Sequence, residues 1–568
     1  NVGPAGMAVV KVIGAVFKIP LQHIIGEYGM GLFNAAYNFY GPIFSLATAG
    51  FPVAVSRLVS ENASLGRWNH VRAVKAVAAP IFLLFGLTGT IAMTLLAPSY
   101  CRHVAGSEWA LYPMLALTPA ILSACWGAVY RGYYEGLRNM GPTAVSEIVE
   151  AAVKLCLGLG LACFAVKRGA EEFARQGTVF GVAAGSPDQA GFLTLAFAAA
   201  GAVLGVTAGS FAAGCYLWLR WQSKGDGLPL RVRRQAPPAE NWSKTAKALL
   251  KITGPVAAGS IAINAAGLID ATFLQSRVAA CMSAAPQVLL SAYQGMIPAL
   301  YLEHPETLPT FLYGCYTLAM TLYLLVPALT QAIGMSALPA VTEAWARGGR
   351  PQLRERMESV LRVTGLVCLP AGLGLTALAE PIAGLLYGQG GSAPIVAGVL
   401  RTLGPAAVFA AVSTPLSSML QAVGRAGLPV KLLAVAMTLK LGVNWFLCGV
   451  PQVNIQGAGV GTLVCYSFLA ASQLIALGRV TGVRLRPGRL FGKPLGCALL
   501  CACAAWAAHR GLTQLGLGSG ASAGAAIGAG GLVYAASLLA SRALAKKDLL
   551  MLPGGEKIAK TLEKRGWM

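Results

Sequence analysis

Glu147, Glu150 and Lys154 fall at i, i+3 and i+7, the spacing that sets three side chains on one stripe of a helix. In an apolar helix such a stripe has two readings. Glu150 and Lys154 stand four apart in the favourable acid-before-base order, so they can neutralise each other and lower the cost of burying charge. Alternatively the stripe lines a polar cavity, where a lysine can hold an anionic group through charge-assisted hydrogen bonds. The residues alone leave both open.

Six cations lie within apolar segments: Lys11, Lys18, Arg57, Lys154, Arg401 and Lys440. The acids at depth are Glu147, Glu150 and Asp270. An ionised side chain near the middle of a bilayer costs about 2.5–3.5 kcal/mol on insertion scales, so such groups usually face a bundle interior or a wet cavity. Arg57 and Arg401 stand near segment ends, where a long side chain can reach the interface, and Lys11 lies near a flank. Lys18, Lys154 and Lys440 sit deeper, and Asn444 follows Lys440 by one turn.

The elements that must position these groups follow from composition. The chain has 568 residues, 56% hydrophobic and 11% charged, against about 25% charged for an average soluble domain. Continuous apolar runs recur at about the 20-residue length of a membrane-crossing helix. A chain in lipid must satisfy its backbone internally, and continuous runs disfavour a β-barrel. An all-α polytopic membrane protein is expected, with spans at 4–25, 34–60, 72–97, 110–130, 142–166, 190–219, 248–273, 311–342, 363–379, 396–420, 430–449, 457–478, 494–509 and 523–541. If the first residues are cytoplasmic, the inner connections carry 32 Lys and Arg and the outer ones 6. That bias places both termini in the cytoplasm. It also accounts for the net charge of +23 without nucleic acid. The 13 cysteines show neither disulfide nor metal-ligand spacing.

The chain repeats itself. "GFPVAVSRLVSE" resembles "ALPAVTEAWARG", and Pro52/Pro339, Pro119/Pro405 and Pro142/Pro429 are separated by 287, 286 and 287 residues. Lys440 follows Lys154 by 286, whereas the positions matching Glu147 and Glu150 are apolar. Two parallel six-helix lobes are therefore expected, an arrangement typical of transporters. The N-lobe is 1–222, a basic cytoplasmic linker 223–247, and the C-lobe 248–480. Two further helices fill 481–545 and a basic cytoplasmic tail 546–568.

"GMGLFNAAYNFYGPIFSLATAGFPVAVSRLVSE" and "RGYYEGLRNMGPTAVSEIVEAAVKL" resemble the SpoVB and YtgP group of polysaccharide-export proteins and MurJ-type flippases. That group belongs to the multidrug/oligosaccharidyl-lipid/polysaccharide exporter superfamily, and the resemblance spans most of 4–480. It implies alternating access around a central cationic cavity and transport of an undecaprenyl-diphosphate-linked saccharide, lipid II foremost, across the bacterial cytoplasmic membrane. Roles in sporulation and wall growth both occur in the group. The two C-terminal helices resemble a pair that forms a lipid-tail groove in MurJ-type members. "KVIG" at 11–14 resembles the basic-Val-Leu-Gly opening of MurJ, which carries a substrate role to Lys11. The chain departs from the pattern at "IFSLATAG", where relatives carry arginines, at Asn34 in place of an acid, and at Glu135 in place of Gln. A sodium site of some relatives would map to Asp270 and Asn444, with Lys440 on the same face as a competing charge.

The expected substrate site is thus Lys11, Lys18, Arg57, Glu147, Glu150 and Lys154, and the expected ion-coupling site Asp270, Lys440 and Asn444. No catalytic residue or cofactor is expected; Na+ or H+ are the candidate coupling ions, and the partners are the lipid-linked substrate and the bilayer, with the chain acting as a monomer. A cation-coupled multidrug exporter of the same superfamily is the alternative. A membrane glycosyltransferase would need catalytic groups on an outer segment. Only "LEHPE", with Glu303, His304 and Glu306, offers them, and a solvated loop explains it better. No phosphate-binding loop for ATP appears.

Overall fold

The computed structural model describes residues 3–48, 50–102, 107–137, 139–225, 237–239, 241–347, 349–388, 392–425 and 427–541. The side chains of Lys11 and Asp270 lie outside the described residues, as do 226–236 and 240 of the expected linker and all of the expected tail. The helices are α1 Gly3–Thr48, α2 Gly50–Ser64, α3 Trp68–Tyr100, α4 Leu111–Gly136, α5 Gly141–Gln176, α6 Pro187–Lys224, α7 Trp242–Ala284, α8 Leu308–Tyr323 and α9 Leu325–Ala346. They continue as α10 Arg350–Ala377, α11 Ala379–Tyr387, α12 Ser392–Ala422, α13 Gly427–Leu447, α14 Ile455–Thr481, α15 Pro487–Gln514 and α16 Ser519–Ala540. One hairpin, β1 Thr178–Val179 with β2 Val182–Ala183, is antiparallel with Thr178 opposite Ala183.

The fold is that of an all-α polytopic membrane protein. Among the described residues, 11 helical runs are long and apolar enough to cross a membrane. The other expected spans, 4–25, 34–60 and 248–273, fall on α1, α2 and α7, parts of which lie outside the described residues. Gly26 interrupts α1 with φ 64° and ψ −173°, a conformation that a residue without Cβ adopts readily. The repeat is visible in the helices. Pro142 opens the first turn of α5 and Pro429 lies in the first turn of α13, where a missing N–H is harmless. Pro119 and Pro405 lie inside α4 and α12.

The chain divides into two compact units, Asn1–Ser276 with Glu303–Gly314, and Arg277–Leu302 with Cys315–Met568. In the second, α9, α10, α12 and α14 share a core of Val341, Met357, Leu361, Leu416, Leu420 and Leu477. Tyr534 of α16 donates to the carbonyl of Leu366 at 2.7 Å, tying the last helix to α10.

In the first unit α6 carries Gly201, Gly205 and Gly209, every fourth residue, against α5. A Cβ on Gly201 would stand 2.9 Å from the Leu161 carbonyl oxygen, and one on Gly209 2.7 Å from that of Glu150. At Gly205 it would run into the backbone of Gly158. With no apolar-versus-water difference to drive association in lipid, this closeness is what holds the helices together. Gly205→Val is therefore expected to destabilise the unit by about 1–3 kcal/mol or more. Gly160→Ala, on an open part of α5, should leave thermal unfolding in detergent nearly unchanged.

Candidate functional site

The glycine row decides where the α5 stripe points. Gly209 lies against the turn bearing both Glu150 and Lys154: the Cβ it lacks would be 2.7 Å from the Glu150 carbonyl oxygen and 3.4 Å from the Lys154 backbone nitrogen. Seated so closely, Glu150 reaches two helices. Its Oε2 pairs with Arg131 Nη2 of α4 at 2.7 Å, with both side chains about a quarter exposed. Its Oε1 accepts from Ser210 Oγ of α6 at 2.9 Å. Arg131 Nε donates to Ser146 Oγ at 3.1 Å, and that hydroxyl donates to the Thr143 carbonyl at 2.7 Å.

Glu150 therefore pairs with Arg131 rather than with Lys154, which overturns the self-neutralising reading of the stripe. The expected span 110–130 also ends too early, just before Arg131. Arg131 belongs to the last turns of α4, which continues to Gly136. Arg131 also attracts the half-buried Glu135 and Glu147. Of these acids, Glu150 is the one that forms an ion pair with Arg131 among the described residues.

One turn deeper the chemistry changes sign. Lys154 Nζ stands 5.0 Å from the ring centre of Phe17 and 5.4 Å from that of Tyr37, both on α1. These are cation–π distances. Gly158 makes room for Phe17, whose ring atom would be 2.9 Å from a Cβ there. Lys18 Nζ donates to Asn34 Oδ1 at 3.4 Å, and Asn34 Nδ2 donates to the Met30 carbonyl at 2.8 Å. Lys18 and Lys154 both meet side chains of α1, and among the described residues Lys154 makes no ion pair. Two ammonium groups beside a wall of aromatic rings, with the nearby carboxylate taken up by Arg131, form a site that favours an anion.

The remaining expected residues are dispersed. Arg57 is exposed on α2, and the side chains of Lys11 and Asp270 lie outside the described residues. Lys440 and Asn444 are buried on α13, 6% and 3% exposed. There a Cβ on Gly461 of α14 would collide with the Asn444 amide oxygen, so this pair sits where two helices pack closely. Arg401 pairs with Glu380 at 3.1 Å, more than half exposed, as a residue near a span end can.

One cluster carried no sequence signal, and a second adds Asp188 and Phe192 to the His304 and Glu306 of "LEHPE". Lys75 Nζ of α3 lies 3.2 Å from the Trp221 ring centre on α6 and 4.4 Å from that of Tyr130 on α4. His304 lies 3.4 Å from Asp188 and 3.3 Å from Glu306, with the Phe192 ring edge-on at 5.5 Å. The Lys75 cluster and the Asp188 and Phe192 contacts of His304 join distant parts of the chain, which spacing cannot reveal.

Similarity to known proteins agrees with this architecture. Residues 5–168 match the family model described as "Polysaccharide biosynthesis protein", and 313–521 match that described as "Lipid II flippase MurJ". The lipid II flippase MurJ of Bacillus subtilis (strain 168) is 24% identical over 472 residues, covering 81% of this chain and 78% of the relative. Stage V sporulation protein B of the same organism is 23% identical over 558 residues, covering 97% and 96%. Among solved structures, lipid II flippase MurJ in an inward closed conformation superposes with a TM-score of 0.62 at 13% identity, covering 94% of this chain and 97% of that one. An inward-facing MATE family multidrug transporter gives 0.55 at 14%, covering 84% and 100%. The likeness in fold, the relatives that run nearly end to end and the two family models, one in each half, converge on one resemblance: this multi-pass membrane protein is similar along its length to the SpoVB- and MurJ-like group of the multidrug/oligosaccharidyl-lipid/polysaccharide exporter superfamily.

Proposed function

We propose that this chain is a flippase that carries an undecaprenyl-diphosphate-linked saccharide, lipid II foremost, across the bacterial cytoplasmic membrane. The observation that carries the reading is the Lys18 and Lys154 pair. Two ammonium groups set against α1 in a membrane helix bundle are costly alone, and a ligand with two adjacent negative charges, as a diphosphate has, would relieve that cost. The attraction gains strength in surroundings of reduced dielectric. The likeness to MurJ and to stage V sporulation protein B supports the same cargo class. Transport would proceed by alternating access of two lobes with both termini cytoplasmic, and Na+ or H+ would serve as coupling ion.

Complementation tests the reading. The chain is expected to restore growth to a strain depleted of its lipid II flippase, scored as colony formation at matched membrane abundance. No rescue at normal abundance, together with export of a cationic drug, would replace the reading with the multidrug exporter.

A further inference from the structure

The second unit holds a cleft with no part in the site above. The ends of α10 and α15, the helix α11 and the starts of α12 and α16 surround a volume of about 780 Å3, walled in part by Glu380, Arg401, Trp506, His509 and Arg510. The Arg510 guanidinium lies 5.3 Å from the Trp506 ring centre. Arg401 holds Glu380 at 3.1 Å, but both are more than half exposed, and an ion pair in water-accessible surroundings is weak and exchangeable. His509 Nδ1 is buried and makes no hydrogen bond among the described residues, a condition that buried polar atoms rarely keep without a partner. The wall thus presents two guanidiniums and an imidazole against one carboxylate, and it attracts anions. Its surroundings are apolar: Leu385, Trp506 and Leu515 are 46%, 50% and 78% exposed. Exposed Leu and Trp beside Arg, at the level where membrane-crossing helices end, are the chemistry of the bilayer interface.

An anion site rimmed by exposed apolar side chains suits an amphiphile better than a free ion. We propose that this cleft binds the phosphodiester headgroup of an anionic bilayer phospholipid, with Arg510 and His509 holding the phosphate and Arg401 exchanging Glu380 for it. The inference does not depend on which saccharide the protein moves.

Native mass spectrometry of the intact chain in detergent, titrated with phosphatidylglycerol or phosphatidylcholine, reads the site. Phosphatidylglycerol is expected to bind more tightly, and Arg510→Gln to weaken it about tenfold, as the loss of one charge-assisted hydrogen bond would. Glu380→Gln should do the opposite and tighten it by freeing Arg401, a sign that misfolding cannot imitate. Inorganic phosphate at matching concentration should leave the lipid in place. Equal binding of the two lipids, an unchanged Arg510→Gln, or a weakened Glu380→Gln would each overturn the proposal. Displacement by inorganic phosphate would make this a site for the free ion and overturn the lipid assignment.

Discussion

Lys154→Ala is expected to abolish rescue of a flippase-depleted strain while the protein still reaches the membrane in near-normal amount, and Lys18→Ala to do the same. A hydrogen bond to a charged group contributes about 1.5–3 kcal/mol, so losing one ammonium should slow transport about 10- to 100-fold. Abundance should survive because removing Lys154 strands no anion: Glu150 is already held by Arg131 and Ser210. Lys154→Arg keeps the charge and should retain part of the activity, although a planar guanidinium fits the Phe17 and Tyr37 rings differently. Membrane level is read by immunoblot and function by growth and by flipping of a labelled lipid. Full activity in both alanine variants would remove the cationic-site argument.

Arg131→Ala should instead damage the fold. It leaves Glu150 partly buried without its guanidinium, and breaking such a pair from one side costs about 3–5 kcal/mol when the pair is fully buried. With both side chains about a quarter exposed, a loss of about 3 kcal/mol is expected. The double variant Arg131→Ala/Glu150→Ala should recover most of that loss, since no charge is then stranded. A thermal-unfolding cycle in detergent measures it. A double variant no more stable than Arg131→Ala would show that the two side chains do not support each other. If Glu150 serves the fold rather than the cargo, the double variant should also keep most of its transport, in contrast to Lys154→Ala. The two experiments together separate the holding half of the α5 stripe from the binding half.

The comparison of lobes points the same way. The position 286 after Arg131 is Ser417, which accepts from Gln473 of α14 at 2.9 Å, and the position 286 after Glu150 is the fully buried Ala436. The second lobe ties its helices together with a neutral hydrogen bond where the first uses an ion pair. Lys440 keeps the place of Lys154 but is more deeply buried.

Much of this protein could be read without coordinates. Helical membrane spans and the duplicated plan follow from run length and proline spacing, because in lipid the backbone has few ways to satisfy itself. The helix start at Pro142 was readable for a similar reason, since proline tolerates few other helical positions. The partners of the charges were not. Glu150 had two candidates by type: Lys154, one turn away on its own helix, and Arg131, nineteen residues back on another. Sequence spacing favours the first. The tertiary structure selects the second because the row Gly201, Gly205 and Gly209 draws α5 onto α6, turns Glu150 toward α4 and leaves Lys154 facing α1. Local periodicity determines which face of a helix a residue occupies; how closely that face meets each neighbour, and therefore which charge it finds, is decided only when the helices pack.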